Sequence, residues 1–173
     1  MLGFMGAGLF AGAVATGAGL MLAGGLLSPI PYAARAGAFA VVATCAVGMQ
    51  IAKPRWRFPR VRRQVPEIVF SRGERSSAGQ FGFELGLGWR TQLTTLAPQT
   101  LALGCVLLGP APGATAALCL GFAGGRFAHV MIRLLSGGGD AWDDRLGRAR
   151  WLPPAASVAA ISAAGGLVAT GGI

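Results

Sequence analysis

The chain has 173 residues, of which 53% are hydrophobic and only 12% charged, with a mean hydropathy of +0.58 and a formal net charge of +9. Such a balance excludes an ordinary soluble domain and describes a single integral membrane domain, too short to carry a large soluble domain as well. Glycine supplies 29 of the residues, and much of it lies inside apolar runs, where small residues let spanning helices approach closely.

Residues 2–27 carry no charge, enough for a crossing that needs roughly 20 apolar residues. They lack the basic leader and short apolar core of a secretory signal, so the sequence predicts a retained first span, with Gly8 and Gly12 spaced for a close helix contact. Ser28-Pro29-Ile30-Pro31 forces a turn. A second span follows over 33–52, with Arg35 near its start.

The loop 53–78 holds the strongest charge signal, with Lys53, Arg55, Arg57, Arg60, Arg62 and Arg63 interleaved with Trp56, Phe58 and prolines, and Arg72 and Arg75 beyond. Basic clusters with aromatics also occur in nucleic-acid binders. This one abuts a spanning helix, so it is read as a topology determinant and a contact for anionic lipid headgroups, and nucleic acid is not expected as a partner.

A third span is expected over 79–109. It is apolar enough to enter a membrane, yet it contains Glu84, Arg90, Gln92, Thr95 and Gln99, with Pro98 beside the last. Helical spacing puts Gln92, Thr95 and Gln99 on one face. Polar side chains in a bilayer turn toward other helices or a wet cavity, and breaks in spanning helices occur where protein or water satisfies the freed backbone. The reading is a discontinuous helix lining a central site; the plainer alternative is a packing helix bonded across the bundle through its Thr and Gln side chains.

Pro110 to Gly113 reverses the chain into a fourth span, 114–135. Phe122, Arg126, His129 and Arg133 fall near one face of it, and Gly121 and Gly125 keep the spacing for close packing. A buried arginine needs a partner, and Glu84 is expected at similar depth, so Glu84, Arg126 and His129 join Arg90, Gln92, Thr95 and Gln99 as a candidate intramembrane polar path. Structural glue and snorkelling to the headgroups explain the same residues. After a loop over 136–151, a fifth span covers 152–173.

The fold class is thus all-α, a polytopic transmembrane bundle of about five spans with the third discontinuous. Placing the loops 53–78 and 136–151 in the cytoplasm leaves Arg35 as the one basic residue at the opposite side, which is the bias expected of cytoplasmic loops. The N-terminus is then cytoplasmic and the C-terminus extracytoplasmic, in a bacterial-type inner membrane.

Three cysteines, Cys45, Cys105 and Cys119, show neither CxxC nor zinc spacing, and no metal site is expected. Cys105 and Cys119 flank the 110–113 turn at similar distances, which makes them a candidate redox pair; small buried thiols are the alternative. One histidine offers no haem ligation scheme, and no cofactor is evident. No nucleotide loop, acid pair or activated nucleophile is found, which points away from an enzyme acting by itself.

Arg63–Glu67, RQVPE, followed by a basic stretch and by Phe81–Thr91, FGFELGLGWRT, resembles the central part of the cytochrome c biogenesis and disulfide-reductant-conducting membrane proteins, together with the methylamine-utilisation membrane components similar to them. The resemblance covers roughly 53–133. It implies a carrier of reducing equivalents to an extracytoplasmic thioredoxin-like partner. The family's paired cysteines lie beside prolines in two broken helices, whereas threonines stand here around Thr91–Pro98, so no catalytic residue is carried over. The functional expectation is a transporter-like membrane protein that moves a small solute or reducing equivalents with a partner, with a non-catalytic subunit as the alternative. Association with another protein or a second copy is expected through the glycine-rich faces of Gly8/Gly12, Gly82/Gly86 or Gly121/Gly125.

Overall fold

The computed structural model describes residues 1–52, 73–88, 96–135 and 152–169. It is helical, with α1 at Leu2–Leu26, α2 at Tyr32–Ala52, α3 at Glu74–Gly86, α4 at Ala97–Leu108, α5 at Pro112–Leu135 and α6 at Leu152–Ala169. No strand occurs among the described residues. Helices α1, α2 and α5 are long and apolar enough to cross a membrane. Long apolar side chains on them face outward, among them Leu22, Val41, Ile51 and Leu135. Lipid accepts such a surface at no cost, while water does not.

Local chemistry sets the helix ends. Pro112 occupies the first turn of α5, where its missing N–H costs nothing. Helix α4 ends at Gly109, whose left-handed φ of 59° suits glycine and whose N–H donates to the Cys105 carbonyl. Helix α3 begins at Glu74, inside the expected loop 53–78 and ahead of the expected start at 79. Its first turn is polar, and the Ser77 hydroxyl donates to the Gly73 carbonyl at 2.9 Å, so a helix stands where hydropathy reads a loop.

The described chain forms two compact units. The first holds the front of α1, α3 and most of α5. Gly8 and Gly12 of α1 face Gly79, Phe83 and Gly86 of α3, while Gly82 and Gly86 face Met5 and Leu9, and the paired numbers rise together, so these helices run parallel. A β-carbon at Gly8, Gly12, Gly82 or Gly86 would collide with the other helix's backbone. Only glycine permits that approach, which brings long stretches of backbone into van der Waals contact. Helix α5 packs antiparallel to α1: Phe127 covers Gly6 and the Cys119 sulfur lies 3.6 Å from the β-carbon position of Gly17. Leu9, Ala13 and Ala123 fill the interior.

The second unit holds the end of α1 with α2, α4 and α6. Its core consists of Phe39, Ala43 and Ala46 of α2, Ala97 and Leu108 of α4, and Ile161 of α6. Phe39 is the large member, and its ring rests on Gly104, where a β-carbon would stand 2.8 Å from Cε2. Ser157, one turn before Ile161, is buried, and its hydroxyl has no hydrogen-bond partner among the described residues.

Two of the three glycine faces expected to recruit a partner are therefore spent on each other within the chain, while Gly121 and Gly125 have open space at their β-carbon positions. Gly82→Ala and Gly86→Ala are expected to destabilise the fold by about 1–3 kcal/mol each through overpacking. Gly121→Ala should be neutral or stabilising by up to about 1 kcal/mol, because helix propensity alone changes. Thermal unfolding of the purified variants in detergent, followed by circular dichroism, reads both.

Candidate functional site

Helix α3 stops at Gly86: the Leu87 N–H donates to the Phe83 carbonyl at 3.0 Å, and the carbonyls that follow stand at the end of the helical ladder. In a bilayer each must be satisfied by protein or by a wet cavity. Arg126 of α5 donates from Nη1 to the Leu85 carbonyl at 3.1 Å. Its guanidinium also stands 5.0 Å from the Phe122 ring centroid, one helical turn away. From α1, the Thr16 hydroxyl lies 3.0 Å from the Gly12 carbonyl and 3.3 Å from that of Leu87, and its one proton serves both. Gly88 follows with φ +72°, and the Phe122 ring comes within 3.2 Å of its β-carbon position. A cation at a helix C-terminus is favoured by the helix dipole as well as by the hydrogen bond.

The expected polar path is placed as follows. Glu84 is half-buried on α3, beside Leu85. Arg126 is half-buried and His129 exposed on α5. These three belong to the first unit, and Arg126 is brought to the end of the helix that carries Glu84. Gln99 is exposed on α4 in the second unit. Arg90, Gln92 and Thr95 lie outside the described residues, as do Lys53, Arg55, Arg57, Arg60, Arg62 and Arg63. Cys105 and Cys119 are buried, on α4 in the second unit and on α5 in the first.

Further polar side chains hold the ends of α4. The Leu96 N–H donates to the Gln50 side-chain oxygen at 3.5 Å, a long contact, and the Thr100 hydroxyl returns to the Leu96 carbonyl at 2.9 Å. At the other end Arg35 reaches the Leu107 carbonyl. The roles of Thr16, Gln50 and Arg35 escape the sequence reading. Thr16 had a signal, since it continues the Gly8, Gly12 face by one more turn; Arg35 and Gln50 had none beyond being polar in an apolar run.

Comparison of the chain with protein-family models, with curated proteins and with solved structures gives no match. The resemblance over 53–133 accordingly rests on its quoted residues alone.

Arg126→Leu removes the donor from the half-buried helix-end carbonyl of Leu85, and is expected to cost about 1–3 kcal/mol. Thr16→Val should cost less, about 1 kcal/mol, because its hydroxyl is shared with its own helix. Unfolding of both variants in detergent gives the comparison, and a larger loss for Thr16→Val would contradict the assignment of Arg126 as the principal cap.

Proposed function

We propose that the chain is an integral protein of a bacterial-type inner membrane with five crossings, the third made by α3 and α4 in series, and that it has transporter-like construction and moves a small solute with a partner protein. The observation that carries this reading is the end of α3, where Arg126 and Thr16 from two other helices claim the carbonyls of Leu85 and Leu87. Helices α3 and α4, of 13 and 12 residues, are each too short to cross a hydrocarbon core of about 30 Å at 1.5 Å per residue. Half-helices ending inside a membrane are the construction by which transporters expose backbone groups to a solute near the midplane. Glu84 and His129, in the same unit as that helix end, supply titratable groups.

The asymmetry of Lys and Arg supports a cytoplasmic N-terminus and an extracytoplasmic C-terminus, with anionic headgroups against the loop 53–78. A solute is preferred over reducing equivalents because Cys105 and Cys119 are both buried. The second reading, a non-catalytic membrane subunit, is favoured by one fact: Arg126 and Thr16 already bond to backbone, which is sufficient reason for their presence.

Single-cysteine variants separate the two readings once Cys45, Cys105 and Cys119 are replaced by serine. A charged thiol reagent applied to open membranes should modify His129→Cys and Gln99→Cys but not the apolar-surface control Leu120→Cys, and applied to intact cells it should modify Ser28→Cys from outside. No reaction at positions 99 and 129 would contradict a solute path and leave the subunit reading. Protection of Ser28→Cys in intact cells would reverse the orientation.

A further inference from the structure

We propose that Arg35 is a latch that holds the last turn of α4, which carries the buried Cys105 thiol, closed against the rest of the second unit. The guanidinium sits where three segments of the second unit meet. Its Nε donates to the Ile30 carbonyl, in the turn between α1 and α2, at 3.0 Å. Its Nη1 donates to the Leu107 carbonyl, in the last turn of α4, at 3.2 Å. The ring of Tyr32, three residues earlier on α2, lies 5.9 Å from the guanidinium carbon. One side chain therefore ties the turn, the start of α2 and the end of α4 together.

The end of α4 is built to receive it. Gly109 takes the left-handed conformation, and its N–H satisfies the Cys105 carbonyl, while the Leu107 carbonyl goes to Arg35. The β-carbon position of Gly109 is 3.5 Å from Arg35 Nη1, so the space there belongs to the guanidinium. Cys105 opens this last turn, buried, with the Thr115 side chain hydrogen-bonded to it. The backbone of Cys105 and Val106 rests on Gly24, their carbonyls 3.3 Å from its β-carbon position. Swinging the last turn of α4 outward breaks the charge-assisted bond to Arg35, lifts Cys105 off Gly24 and draws Leu108 from the core it shares with Phe39, while Ala97 of that core keeps the front of α4 in place. Nothing in this device depends on what the protein moves.

The test uses Cys105 as its own reporter, in full-length protein in membranes with Cys45→Ser and Cys119→Ser. With Arg35→Gln the rate of labelling by N-ethylmaleimide should rise about tenfold, the factor that corresponds to about 1.4 kcal/mol of lost closure. Arg35→Lys, whose single ammonium cannot serve both carbonyls in the fork geometry, should give a smaller rise. An unchanged rate in Arg35→Gln overturns the proposal. A companion protein that keeps Cys119 and lacks Cys45 and Cys105 separates a latch from general unfolding: Arg35→Gln should leave Cys119 labelling unchanged, and equal acceleration at both thiols also overturns it.

Discussion

The contact between the backbones of α1 and α3 is what the first unit depends on. Gly8 and Gly12 on one helix and Gly82 and Gly86 on the other remove every side chain from the crossing, so peptide groups of the two helices touch. In lipid no hydrophobic force draws helices together, and close packing must supply the attraction. The contact also has a positional consequence. It delivers Thr16, one turn beyond Gly12, to the Leu87 carbonyl, and leaves the opposite side of the α3 end to Arg126 and Phe122 of α5. A larger residue at any of the four glycines would push α3 away and strand the carbonyls that these side chains now satisfy.

The second unit meets the same requirement by other means. Its helices pack around Phe39 and a set of alanines, a thin core that gives α4 little apolar surface to hold on to. Its ends are then tied by polar groups: Gln50 at the Leu96 N–H, and Arg35 with Gly109 at the C-terminal turn. Short helices have proportionally more unsatisfied end groups, since each end leaves four whatever the length. The two shortest described helices, α3 and α4, each have side chains from other helices at their ends, which is the arrangement expected where water is scarce.

Much of the helical layout was legible in hydropathy. The runs 2–27, 33–52 and 114–135 correspond to α1, α2 and α5 within two residues at each end, because a long apolar run bounded by proline or charge has few other solutions. The start of α3 was not legible, since Glu74, Ser76, Ser77 and Gln80 read as loop residues and only the helix they begin is apolar. Glycine spacing identified the contact surfaces of α1 and α3 but not their occupant, because spacing says how near a neighbour comes and not which chain it belongs to. At the candidate site the need of Arg126 for a partner was visible, and Glu84 was the obvious choice from side chains alone. Not foreseen was a contact of Arg126 to the carbonyl of Leu85, an acceptor available because α3 ends there. Helix-end backbone groups are invisible to any reading that considers side chains first, and the same blindness hid Arg35 at a carbonyl and Gln50 at an N–H.

The most direct test of the glycine crossing is a cross-link between Phe4→Cys and Arg75→Cys, whose native side chains meet at 5.8 Å in the first unit, in protein with its three native cysteines replaced by serine. A short bifunctional maleimide applied to membranes should consume both thiols and give a product that migrates as a monomer, because α1 and α3 of one chain lie against each other. A dimer-sized product would assign the glycine faces to contacts between chains, and failure to cross-link at all would contradict the parallel α1 and α3 pairing itself.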